Sequence, residues 1–292
     1  MRNEKYLLSL QSNMEYTLNC NGQLLDLSTP QVMGILNATP DSFYAASRTQ
    51  TEREITTRTE EILQQGGTMI DVGACSTRPD SKTATEAEEA ERLRLALKTI
   101  RDVAPNAIVS VDTFRPQLAR MAVEEYGVAI VNDVGAPVNS PEVTIASQKD
   151  MFRMVSRLRV PYIYMSRKNN TKDILLDSAE VVDTLRSMGQ KDIIIDPGFG
   201  FGKTVEENYE VMNGLERLQM LRLPVLVALS RKSMIYRLLQ STQEEALTGT
   251  IALNTIALMK GANILRVHDV REAVECVKIV DAVKILETKS NK

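Results

Sequence analysis

The sequence predicts an α/β protein, a (β/α)8 barrel preceded by a short hairpin, and three observations carry that reading. Eight short, β-rich apolar runs recur from residue 32 onward. Each is followed by a longer segment of helical period, the alternation expected of parallel βαβ units. No Pro/Gly/Ser-rich linker divides the series, and its extent of about 250 residues is that of one closed barrel. A doubly wound open sheet usually has fewer strands.

Residues 1–31 do not fit the repeat. Within them YTLNCNGQLLDLS carries an Asn-Gly turn signal at Asn21 and Gly22, which predicts a hairpin able to cover the barrel bottom. The barrel follows over 32–287. Its strands are expected at VMGILNA (32–38), TMIDVG (68–73), AIVSVDT (107–113), AIVND (129–133), PYIYMS (161–166), DIIIDPG (192–198), PVLVALS (224–230) and ILRVHD (264–269). These runs are apolar on both faces, as strands covered by helices must be. Segments such as ATEAEEAERLRLALKTIRDV and PQLARMAVEEYG supply the helices. Residues 288–292 are polar and read as a frayed tail.

Composition narrows the function. Apolar residues make up 43% and charged residues 25%, a globular balance. A net charge of -3 and a pI near 5.5 argue against nucleic-acid binding but allow a local basic pocket for a small anion. Cys20, Cys75 and Cys276 are odd in number and lack CxxC spacing, so neither a disulfide framework nor a zinc knuckle is expected, and a reducing, cytoplasmic setting is. No signal peptide and no membrane span is expected from the pattern of apolar runs.

In a (β/α)8 barrel, chemistry sits at the C-terminal strand ends. Those ends carry Asn37, Asp71, Ser76, Thr77, Arg78, Asp112, Asn132, Asp133, Asp196, Ser230, Arg231, Lys232, Arg266, His268 and Asp269. Any one of the Asp or Asn residues has a plain alternative as a helix cap. Together they make a mouth of amides, carboxylates and cations suited to a polar heterocycle with an anionic group. Asp112, Asn132 and Asp196 match the parallel N–H donors of an aminopyrimidinone edge. Arg78, Arg266 and His268, the one histidine of the chain, match a phosphate. Arg266 and His268 are two residues apart, hence on one face of a strand. PGFGFGKT is not a phosphate loop, since Pro197 stands where the Walker pattern needs glycine, and its glycines do not fit GxGxxG.

Seven ordered segments, MGILNATPDSF (33–43), IDVGACSTRP (70–79), SVDTF (110–114), VND (131–133), IDPGFGFGKT (195–204), SRKS (230–233) and LRVHDV (265–270), resemble the signatures of dihydropteroate synthases, which are pterin-binding TIM barrels. The resemblance covers about residues 32–284. It implies joining of 6-hydroxymethyl-7,8-dihydropterin diphosphate to p-aminobenzoate, in a homodimer built through the last helices. It also implies that Asn37 helps hold Mg2+ on the diphosphate, which Thr77, Arg78, Arg266 and His268 contact. Asp112, Asn132, Asp196 and Lys232 would then grip the pterin, with Met165 among the substrate-binding residues. Pro79, Phe201 and Ser233 would border the p-aminobenzoate channel. The implied catalytic set is Asp112, Lys232, Arg266 and His268, acting in a dissociative displacement in which pyrophosphate leaves before the aniline nitrogen attacks. Loops 38–50 and 74–85, with Asp41, Ser42, Thr77, Arg78 and Pro79, are expected to close once the diphosphate is bound.

The chain departs from that family at several points. Ser166 replaces a histidine after the fifth barrel strand, Ala228 a glycine against the pterin, and Cys75 a frequent glutamate. YAASR and GAPVNSPE replace glycine-rich loop segments, and KDILLDSAEVVDTLRSMG is shorter than the usual segment there. These changes crowd the pterin and p-aminobenzoate positions. A diverged paralogue that binds a pterin or diphosphate with little or no synthase activity is therefore the second reading. A pterin-binding methyltransferase barrel is a third, and the retained Arg-Val-His of a diphosphate clamp speaks against it.

Overall fold

The computed structural model describes residues 16–38, 48–75, 83–135 and 145–290. The chain starts as a hairpin, β1 (Thr17–Cys20) with β2 (Gln23–Asp26), and the register places Cys20 opposite Gln23. Asn21 and Gly22 between them have φ of 54° and 87°, the double left-handed pair of a type I′ turn. The barrel follows as β3 (Gln31–Asn37), α1 (Arg48–Gln64), β4 (Met69–Gly73), α2 (Glu86–Val103), β5 (Ile108–Asp112), α3 (Pro116–Tyr126), β6 (Ile130–Asp133), α4 (Ile145–Leu158), β7 (Tyr162–Met165), α5 (Thr171–Ser187), β8 (Ile193–Asp196), α6 (Val205–Asn213), β9 (Leu226–Val227), α7 (Ser233–Leu238), α8 (Leu247–Met259), β10 (Ile264–Val267) and α9 (Val270–Ser290). Helix starts follow local chemistry. Thr85 and Thr204 open α2 and α6 with capping boxes completed by Glu88 and Glu207, and Pro116 enters α3 at its first turn.

All eight barrel strands are parallel, in the order β8-β7-β6-β5-β4-β3-β10-β9. One bridge, Ile195 to Val225, brings β9 back to β8, with Ile195 N–H donating to Pro224 O at 2.9 Å. The seventh barrel strand is therefore shorter than the expected 224–230. Val225 N–H is taken by the Asn263 side chain at 3.0 Å, Pro224 has no N–H to give, and the chain turns at Leu229–Lys232 with Arg231 at φ 53°. The last helix reaches Ser290, so it takes in residues expected in the frayed tail; Asn291 and Lys292 lie outside the described residues.

Two apolar layers result from the period of two along each strand. Outward residues such as Val32, Leu36, Val72, Val111, Val131 and Ile195 pack beneath the helices. Inward residues nearest the strand starts, Met33, Met69, Ile108, Ile130, Ile163, Ile194, Leu226 and Ile264, form one cluster with Leu18, Cys20, Leu25 and Leu27 of the hairpin segment. The hairpin is thus a plug in the barrel bottom, held also by Asn21, which donates to Gly127 O (2.9 Å) and Val128 O (3.1 Å).

Candidate active site

On five of the eight strands the next inward position changes character. Asp71 on β4, Ser110 on β5, Asn132 on β6, Asp196 on β8 and Arg266 on β10 follow the apolar ring by two residues, and the first four are buried. Arg266 binds two carboxylates: Nε donates to Asp71 Oδ2 at 2.6 Å and a terminal nitrogen to Asp112 Oδ2 at 2.8 Å. Asn132 Nδ2 donates to the same Asp71 oxygen at 3.0 Å. Asp71, fully buried, is the hub of this network. Among the described residues, Asp71 Oδ1, Ser110 Oγ and Asn132 Oδ1 are buried without a hydrogen-bond partner. Leaving such atoms unpaired is costly unless a ligand meets them.

A second group faces the first across the mouth. Asp196 Oδ1 accepts from Gly198 N–H at 2.7 Å, and Lys203 Nζ donates to Gly198 O at 2.8 Å. Lys232 Nζ donates to Phe199 O and lies 4.8 Å from the centre of the Phe201 ring, a cation–π contact. Burial lowers the Lys232 ammonium to about 8, with Asp196 opposing the shift. It lowers Lys203 to about 8 likewise, against Asp196 and Glu207. Burial raises the Asp112 carboxyl well above its ordinary range, with Arg266 pulling it back, and raises Asp196, which Lys232 opposes. Shifted acids and bases gathered in one cleft are a signature of a reactive or binding centre.

The predicted residues divide as follows. Asp112, Asn132, Asp196, Phe201, Lys232 and Arg266 meet at the mouth through the contacts above. Asn37 closes β3 in register with Gly73 and is exposed, while Met165 closes β7 and is buried. Ser233 begins α7 directly after Lys232. His268 lies just past the last residue of β10, in a bend; its N–H donates to Ser230 Oγ at 3.2 Å and its carbonyl accepts from Arg58 at 2.6 Å. Strand alternation therefore does not by itself align it with Arg266. Thr77, Arg78 and Pro79 lie outside the described residues, as do Asp41, Ser42 and most of both expected closing loops.

Other strand-end residues serve the wall instead of the mouth. Asp133 accepts from the Tyr162 hydroxyl at 2.8 Å, and Arg231 pairs with Asp269 through bonds of 2.9 and 3.0 Å. Ser166, in the position expected for histidine, donates to Asp177 at 2.5 Å. Sequence reasoning missed Asp71 as an organiser, along with Lys203 and the buried pair Glu89–Arg115 behind β5. A signal for Asp71 was present: a carboxylate two residues after an inward Met in an apolar run must find a cation inside the barrel.

A family model described as pterin binding enzyme matches residues 33–268. A dihydropteroate synthase of Clostridium beijerinckii is 37% identical over 261 residues, covering 86% of this chain and 93% of that one. A structure of Xanthomonas albilineans dihydropteroate synthase with 4-aminobenzoic acid superposes with a TM-score of 0.83 at 31% identity, over 92% of this chain and 98% of the other. A structure of the same organism's dihydropteroate synthase in complex with 7,8-dihydropteroate gives 0.80 at 30% identity, over 92% and 99%.

Proposed function

The chain belongs to the dihydropteroate synthase family of pterin-binding enzymes, and we propose that its barrel mouth joins the pterin diphosphate to p-aminobenzoate as the sequence implies. It is a transferase of that type, acting in folate biosynthesis. The observation that carries the residue-level reading is the pairing of acceptors, Asn132 and Asp196 buried and Asp112 half-buried, with two cations. Asp112, Asn132 and Asp196 offer oxygens to the amino and ring N–H donors of a pterin, and Lys232 and Arg266 offer donors to its carbonyl and ring nitrogen. The unpartnered Asn132 Oδ1 supports this fit. Nothing favours the inactive-paralogue alternative.

The chemistry then follows from these side chains. Pterin donors take lone pairs of Asp112, so the guanidinium of Arg266 loosens from that carboxylate and turns its charge toward the diphosphate beside His268. Asp71 keeps Arg266 anchored during the exchange. As pyrophosphate departs, Asp112 and Asp196 lie near the cation that develops on the pterin methylene, and the aniline nitrogen attacks it along the wall formed by Phe201 and Ser233. The family resemblance assigns the remaining diphosphate and p-aminobenzoate contacts to Thr77, Arg78 and Pro79.

Asn37 supplies one exposed amide oxygen, and among the described residues no group of three or more His, Cys, Asp or Glu gathers around a metal position. That sparse donor set fits Mg2+, an ion that keeps several waters and binds chiefly through substrate phosphates. Held by Asn37 and the diphosphate, it would offset charge on the leaving group.

The assembly proposed is a cytoplasmic homodimer. Exposed Ile256 and Met259 on α8 and Ile279, Val283 and Leu286 on the neighbouring α9 support it. No helix among the described residues is long and apolar enough to cross a membrane, and Cys20, Cys75 and Cys276 are not disulfide-bonded. The deciding experiment mixes the protein with pterin diphosphate, p-aminobenzoate and Mg2+ and measures pyrophosphate. Release that requires p-aminobenzoate is expected; none would favour the inactive paralogue instead. Calorimetry of p-aminobenzoate with and without pyrophosphate and Mg2+ tests ordered closure, and equal affinity in both would exclude it.

A further inference from the structure

The loop between β8 and α6 carries Phe201, yet its backbone has little reason to hold one shape. Gly198, Gly200 and Gly202 have φ of 69°, 80° and 71°, so every second residue sits in the left-handed region. Glycine reaches that region freely but just as freely leaves it. What fixes the loop must therefore come from side chains. Phe199 anchors one point by complete burial, and Lys232 and Lys203 donate to Phe199 O and Gly198 O. Besides the bonds of Gly198 N–H to Asp196 Oδ1 and of Phe201 N–H to Gly198 O (3.2 Å), a further anchor is Asn208, which is 2% exposed and lies in the first turn of α6.

The whole amide of Asn208 is committed to this loop. Its Oδ1 accepts from Gly200 N–H at 2.7 Å, while Nδ2 donates to Thr204 O at 2.6 Å and Lys203 O at 3.3 Å. Gly200 is the residue directly before Phe201, and its Cα hydrogen side faces Lys232, where an added Cβ would lie 3.0 Å from Cδ. Asn208 thus holds the N–H of the Phe199–Gly200 peptide whose carbonyl Lys232 takes, and so fixes the chain entering Phe201, whose ring lies beneath that ammonium.

We propose that Asn208 is a positioning residue that sets p-aminobenzoate affinity through Phe201 without touching either substrate. The inference rests on the reading of Phe201 as a wall of the p-aminobenzoate channel. Loss of the Gly200 bond leaves the Phe199–Gly200 peptide held only at its carbonyl, by Lys232, so the chain entering Phe201 loosens and the ring samples orientations that do not flank the aniline. The pterin, gripped on the barrel side by Asp112, Asn132 and Asp196, is unaffected. Affinity for the second substrate should therefore fall alone.

The test compares Asn208→Ala and Asn208→Ser, each alone and combined with Phe201→Ala, in the full chain. Calorimetry reads pterin diphosphate affinity, and pyrophosphate release reads KM for p-aminobenzoate. Asn208→Ala should raise that KM roughly three- to tenfold, the effect of one hydrogen bond, with pterin diphosphate affinity unchanged. Asn208→Ser keeps a hydroxyl able to donate to Thr204 O, as helical serines do, but cannot reach Gly200, and should behave like the alanine variant. In a chain that already carries Phe201→Ala, adding Asn208→Ala should leave that KM where it was. A serine variant with unaltered KM, effects that add to those of Phe201→Ala, or weakening of pterin diphosphate by the same factor would each overturn the proposal. If the unsubstituted protein releases no pyrophosphate with p-aminobenzoate, the functional reading has failed instead, and that outcome is read before any variant is made.

Discussion

Inside the barrel, two rings of side chains lie one step apart and could hardly differ more. The lower ring is Met33, Met69, Ile108, Ile130, Ile194 and Ile264, sealed by the hairpin. Two residues further along the same strands stand Ile35, Asp71, Ser110, Asn132, Asp196 and Arg266. The lower ring offers only shape and apolar area; the upper one carries carboxylates, an amide and a guanidinium that are expensive to bury and stay because they are paired with each other or meet a ligand. The barrel therefore separates folding from chemistry along its axis, within one strand's length, and substitutions in the two rings should fail in different ways.

The sharpest break of that comparison is Lys232→Ala. Loss of a buried donor at a reacting centre costs about 100- to 1000-fold in rate, while removal of a desolvated ammonium should leave the thermal midpoint unchanged or higher. Pyrophosphate release and a melting curve measure the two together, and a marked fall in the midpoint would show that the upper ring also carries the fold. Met33→Ala should do the reverse. It empties space in the sealed lower ring at about 2–5 kcal/mol, seen as a lower denaturation midpoint, with kcat per folded molecule intact.

A smaller effect is the pH response of Lys232, which sits over the upper ring beside Asp196. Lys232 is lowered to about 8, so its ammonium is present below that pH and lost as pH rises through it. The kcat/KM for pterin diphosphate should decline above about pH 8. Lys232→Arg, which stays charged, should be slower but lack that limb; an unchanged limb would assign it to another group. Smallest is Ala228→Gly, at the boundary between the rings, where Ala228 packs with Leu226. Stability should drop by about 1 kcal/mol, and KM for the pterin diphosphate should improve a few-fold if that methyl crowds the ring.

The lower ring and the wall were legible in the sequence because they obey periodicity. Seven of the eight strands lie within a residue or two of their expected positions; in β9 the bond of Val225 N–H to the Asn263 side chain delays the start and the turn at Arg231 brings an early end. No local pattern encodes a side chain from the following strand. Residues at or above the upper ring such as Asp112, Asp196 and Lys232 were legible from strand ends and from family resemblance. Asp71 and Asn208 were not singled out, because their roles consist of contacts that only the closed barrel brings together: Asp71 with residues on β6 and β10, Asn208 with a peptide eight residues back. His268 was read by strand alternation one residue beyond where the strand stops.

The closure between β8 and β9 has its own consequence. Neighbouring strands elsewhere share ladders of two to five residue pairs, but this joint has the single Ile195–Val225 bridge. It is the line along which the cylinder can breathe, and amide protons at Ile195 should exchange with solvent sooner than those of β4 or β5. Asp196 caps one lip of the joint and Lys232 follows the other, attracted to each other across it. A ligand that binds both would zip the cylinder shut, so protection from exchange at this one joint would report occupancy of the mouth more directly than the unfolding of the whole molecule.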